Sequence, residues 1–176
     1  MGEANREALA ALETAIQMEI EGNEFYVRAA EKVSWPEGKE TLLDLAKDEQ
    51  EHIRILKEEH ASLLEGQSWL QAEKVTPRTG AKPLPVFEKN EAVIAGMVDD
   101  RADALDVLEV AINNEYKSTV FYTEQMKNAV DAQAKAVFAW LVKEEKTHKE
   151  ILSNYAKYIG AQQEWLLEHE RPILEG

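Results

Sequence analysis

The stretch Asp48–His52, DEQEH, sits inside LLDLAKDEQEHIRIL, where Leu42, Leu45 and Leu56 mark an apolar stripe at helical spacing. Residues three and four apart share one face of a helix. Glu49 and His52 therefore fall on the stripe that the helix should bury. A buried carboxylate or imidazole is unfavourable unless something inside the protein receives it. One Glu-x-x-His in an acidic chain reads most simply as a solvated face. That reading weakens when the pattern returns: Leu42, Leu45, Glu49, His52 and Leu56 are matched 96 residues later by Phe138, Leu141, Glu145, His148 and Leu152.

The repeat extends to a second pair of segments. Leu9, Leu12, Ile16, Glu19, Asn23, Tyr26 and Ala30 step by threes and fours, the spacing of a bundle core. At the same displacement stand Leu105, Leu108, Ile112, Glu115, Thr119, Tyr122 and Met126. An internal duplication is thus expected over about 9–56 and 105–152, and its polar seam positions recur with its apolar ones.

Around these seams the chain divides into four long helical segments. The first should run from Glu3 to Val33. SWPE comes next, with Ser34 as N-cap, Pro36 in the first turn and Glu37 completing a capping box. The second helix should stop at Gly66. The segment of about 66–100, with Pro77, Gly80, Pro83 and Pro85, reads as a long crossover. A third helix is expected over Arg101–Asn128 and a fourth from Asp131 to Ile159, with Gly160 as its stop. A short amphipathic helix, EWLLEHERPIL, would close the chain. Helices of this length span roughly 45 Å. Two short links and one long one then define an all-α, antiparallel four-helix bundle in a single domain, with the crossover between helices two and three.

Composition narrows the chemistry. The 176 residues contain no cysteine, which excludes disulfides, iron–sulfur clusters and thiol catalysis. A formal charge of -14 disfavours nucleic acid as a partner. No run approaches the roughly 20 apolar residues of a membrane span, and the N-terminus has no signal-peptide core, so a cytoplasmic location is expected. Any metal must be held by Asp, Glu or one of only four His.

The seam residues meet that need. Glu49 with His52, and Glu145 with His148, project from two helices, while Glu19 and Glu115 face them from the other two. Several kcal/mol would oppose each unpaired buried ion. Two divalent cations would balance four carboxylates, with two neutral imidazoles completing the set. Oxygen and imidazole donors suit iron or manganese, and zinc is compatible with the same ligands.

MEIEGNEFY, KDEQEH, NNEYKSTVFY and KEEKTH together resemble the ferritin-like superfamily, and most closely its rubrerythrin-type branch, over about residues 5–158. The resemblance implies a di-iron centre in which Glu49 and Glu145 bridge, Glu19 ends beside His52, and Glu115 ends beside His148. It also implies an oxidoreductase acting on hydrogen peroxide or dioxygen, protective in oxidative stress. Tyr26 and Tyr122 lie two turns beyond the terminal Glu on the same face and are expected to donate hydrogen bonds to a carboxylate. Typical members of the branch carry a further Glu where this chain has Ser118, and a cysteine-ligated rubredoxin domain that is missing here. Electrons would then come from a separate donor protein. The same ligands would serve a ferroxidase or iron-handling protein, and an intact ligand set argues against a metal-free adaptor. A homodimer is the expected assembly. His60 and His169 have no ligand partner at helical spacing and read as surface residues. Trp35, Trp69, Trp140 and Trp165 read as packing at the bundle ends and under the crossover.

Overall fold

The computed structural model describes residues 3–33, 36–75 and 101–169, with side chains over 5–33, 36–73 and 105–161. Four long helices dominate: α1 (Glu3–Lys32), α2 (Pro36–Leu64), α4 (Arg101–Asn128) and α5 (Ala132–His169), with a single turn, α3 (Ala72–Val75), after α2. No strand occurs among the described residues. This is the all-α bundle that the two seams predict. The Ser34 cap, the prolines of the crossover, Trp35, and the side chains of Trp165 and His169 lie outside the described residues.

Local chemistry sets the helix ends. Pro36 opens α2, where its missing N–H is one of the unpaired donors in any case. At the other end Gly66 takes a left-handed φ of 78°. Its N–H reaches Leu63 O at 3.1 Å, and Gln67 N–H reaches Ser62 O at 3.0 Å, so two last-turn carbonyls are satisfied. Asp131 caps α5, its Oδ1 accepting Gln133 N–H at 2.7 Å and Ala134 N–H at 3.1 Å. Gly160 differs from the expected stop. α5 passes through it to His169 without a break, and no left-handed φ occurs there. The residues after Gly160 are helix formers with no proline before position 172, so nothing forces the chain out of the helix. The separate closing helix is therefore replaced, through residue 169, by an extension of α5.

The helices pair as α1 with α2 and α4 with α5, and the two hairpins face each other antiparallel. Tyr26 of α1 reaches Glu115 of α4, while Tyr122 of α4 reaches Glu19 of α1. The core is split into two apolar blocks. One gathers Ala30, Leu42, Leu45, Leu108, Leu152 and Ile159. The other gathers Leu12, Ile55, Leu56, Leu63, Phe138 and Leu141. Between them lies a layer of buried charge. α2 ends in the second block and α4 begins beside the first, so these two helix ends lie at opposite ends of the bundle.

Candidate metal centre

Glu19, Glu49, His52, Glu115, Glu145 and His148 are all at most 3% exposed, a rare environment for four carboxylates. Their donors form two overlapping groups, Glu19–Glu49–His52–Glu145 and Glu49–Glu115–Glu145–His148, each with all donor atoms within 4.8 Å of one another. Glu49 and Glu145 belong to both. Glu49 turns Oε2 towards His52 Nδ1 at 3.2 Å and Oε1 towards His148 Nδ1 at 3.3 Å. Glu145 Oε1 stands 3.4 Å from His52 Nδ1. Glu19 Oε2 lies 3.4 Å from His52 Nδ1, and Glu115 Oε2 lies 3.7 Å from His148 Nδ1. The two imidazoles stack with ring centres 5.5 Å apart.

Both tyrosines do as expected, with a crossing that spacing alone does not give. Each serves the carboxylate of the other hairpin: Tyr26 Oη donates to Glu115 and Tyr122 Oη donates to Glu19. Burial, reinforced by the neighbouring carboxylates, pushes both phenols well above their ordinary range, so they stay protonated donors.

The carboxylates do not behave alike. Burial first, then Glu49 beside it, raises Glu19 to about 8. Burial and the charges of Glu19, Glu115 and Glu49 raise Glu145 well above its usual value. Glu49 runs the other way. Burial opposes its charge, but Glu19, His148 and His52 together outweigh that and hold it low. Burial alone would depress both imidazoles, yet the surrounding carboxylates raise them well above normal. Without a cation the cluster thus neutralises itself by holding protons.

The donor set fits a metal. Glu115 Oε2, Glu145 Oε1 and both ring nitrogens of His148 are buried with no hydrogen-bond partner. Apart from His148 Nε2, these atoms face the cluster, where a cation would satisfy them. Oxygen and imidazole donors in this number suit iron, with manganese and zinc as competitors.

Three residues stand around the cluster that the sequence pattern did not place there. Asp48 Oδ2 lies 3.5 Å from His148 Nε2, on the side away from the cluster. Its counterpart 96 residues on, Glu144, is buried to 4% exposure. Burial raises its pKa, and both imidazoles act in the opposite sense. An acidic residue directly before the Glu of each Glu-x-x-His pair was the available signal for these two. Trp140 is the third. It stands edge-on to His52 at 5.1 Å rather than at a bundle end. Trp69 does pack where expected, against Phe138 below the start of the crossover. His60 is partly exposed, with Nε2 3.4 Å from Glu13 Oε1 and no part in the cluster.

A four-helix bundle with paired Glu-x-x-His helices facing two further glutamates defines the ferritin-like carboxylate class. Within it, the chain belongs to the rubrerythrin family, whose profile matches residues 10–155 and, in a second overlapping match, 106–175. No curated protein and no solved structure shows a significant match. No helix among the described residues is long and apolar enough to cross a membrane.

Proposed function

We propose that the protein is a non-haem di-iron oxidoreductase that reduces hydrogen peroxide or dioxygen, drawing electrons from a separate donor protein. The observation that carries this is the pair of four-donor groups interlocked through Glu49 and Glu145. In this reading Glu49 and Glu145 would be shared by both irons, with Glu19 and His52 holding one and Glu115 and His148 holding the other. Bound as a ferrous pair, the iron would supply the two electrons with which peroxide and two protons become two waters.

The chain does the rest. Tyr26 and Tyr122 hold the terminal carboxylates by donating to Glu115 and Glu19. Asp48, beside His148 Nε2, favours the tautomer that leaves Nδ1 free for a metal. The apolar blocks close the layer at its two ends along the bundle axis. Protection from oxidative stress, a cytoplasmic location and a homodimer complete the reading.

The test is purified protein loaded with ferrous iron. Expected are two irons per chain and consumption of peroxide or oxygen faster than by free iron. Consumption of neither above the free-iron rate would end the proposal.

A further inference from the structure

A cavity of about 200 Å³ opens between α1 and α4 directly onto the carboxylates of the cluster. Its floor is Glu19, Glu49, Glu115 and Glu145; neither imidazole lines it. Met18, Gly22 and Phe25 form the α1 wall, and Asn114, Lys117 and Ser118 form the α4 wall. Lys117 is exposed at the rim, so the cavity communicates with solvent.

Gly22 is the feature that needs explaining. It sits in the interior of α1, where glycine weakens a helix relative to alanine. Its φ is not left-handed, so the backbone does not require it. An added Cβ would meet only Glu49 side-chain atoms at 3.7–3.8 Å, an ordinary contact, so no clash requires it either. What glycine provides is open space above Glu49. The position 96 residues on is Ser118, also small and lining the opposite wall of the same cavity. The two halves of the repeat thus leave the same gap from both sides.

We infer that this cavity is the seat of the hydroperoxide reactant, and that Gly22 and Ser118 set the size it admits. The inference rests on the redox reading above. A single water needs roughly 10–15 Å³ of such space, so hydrogen peroxide would leave most of the cavity unfilled. The wall of Met18 and Phe25 offers hydrogen peroxide no conventional donor but suits an alkyl group. Asn114 and Ser118 across from it can hydrogen-bond the peroxy end. The ligand class is therefore a hydroperoxide that includes short organic ones. Its O–O bond is cleaved with two protons and the two electrons of a ferrous pair, giving one alcohol and one water.

Azide binding to the iron-loaded, oxidised protein, monitored by its absorbance, reads the cavity without turnover. Gly22→Ala, Gly22→Val and Gly22→Leu should weaken azide progressively, reaching tenfold or more, at unchanged iron content. Each replaces glycine in a helix, and an Ala Cβ meets Glu49 only at ordinary contact distance, so circular dichroism and iron content measured on every variant separate a filled cavity from a displaced Glu49. Ser118→Leu should do the same from the other wall. Unchanged azide affinity in both Gly22→Leu and Ser118→Leu would overturn the assignment of the cavity. In turnover, the rate with tert-butyl hydroperoxide relative to hydrogen peroxide should fall at least tenfold in these variants. An unchanged ratio, or a wild type that turns over hydrogen peroxide alone, would overturn the size assignment. A wild type inert to both peroxides would instead remove the redox reading, with the azide titration still deciding the cavity.

Discussion

Each residue of the cluster has a distinguishable consequence. Glu49 and Glu145 lie in both donor groups, whereas His148 lies in one. Glu145→Ala should therefore lower occupancy at both positions, while His148→Ala should mainly empty one, as metal analysis of the purified variants would show. Circular dichroism should stay near wild type in both, because the apolar blocks are untouched. Tyr26→Phe removes the donor to Glu115 and leaves the ring in place. On the usual scale for such outer partners, metal affinity or turnover should fall about 10–100-fold. An unchanged value would mean that the hydroxyl orients nothing.

Glu59 is a residue of a different kind, buried at 0% exposure away from the carboxylate–histidine cluster. Its Oε2 accepts Leu70 N–H at 2.9 Å, which ties the start of the crossover to α2. Its Oε1 has no partner. Burial, partly offset by that hydrogen bond and reinforced by Asp131 and Glu58, raises its pKa from 4.5 to about 7. The folded state then binds the proton more tightly than the unfolded one. The associated stability is complete below pH 4.5 and is lost as pH rises through about 7. Glu59→Gln, which mimics the protonated acid, should match wild type at pH 5 and exceed it at pH 8. The difference should be on the order of 2 kcal/mol, read from urea unfolding at the two pH values. Equal pH dependence in the two proteins would refute this account.

At the scale of elements, Gly66 and Gly160 show why one glycine ends a helix and another does not. Gly66 adopts a left-handed φ of 78° and its neighbours close the last turn of α2. Gly160 lies inside α5 with nothing within 4 Å of a Cβ built on it. Gly160→Ala should therefore stabilise the protein by about 0.5–1 kcal/mol in thermal or denaturant unfolding. Were Gly160 a helix stop, the same change would destabilise it. Both glycines look alike in the sequence because composition does not report φ. The residues on the C-terminal side of each glycine decide between them: Gly66 precedes a segment rich in turn residues, whereas Gly160 precedes further helix formers.

At the scale of the molecule, the buried carboxylate–histidine layer joins two hairpins whose apolar contacts are interrupted by charge. Without metal, the raised pKa values of Glu19, Glu145, His52 and His148 place protons where cations would sit. Loading must displace those protons. Metal affinity should therefore be weaker at pH 6 than at pH 8. Titration calorimetry in buffers of different ionisation enthalpy should show proton release. A buffer-independent heat would contradict it. Removing the metal should also lower the melting temperature, since any ligand held only by the native state stabilises it.

The sequence by itself determined the four long helices, their buried faces and the six residues of the cluster, but not where the last helix ends. Helical spacing ties a side chain's face to its position along the chain, and a duplication displaced by 96 residues exposes any pattern carried twice. The tertiary structure alone decided which partners meet across the hairpins: Tyr26 with Glu115, Tyr122 with Glu19, and Asp48 with His148. It alone placed Trp140 against His52, ran α5 through Gly160, and left a cavity over Glu49 beside Gly22. Those outcomes depend on how two rods cross and on the space left between them, which periodicity along a single rod does not encode.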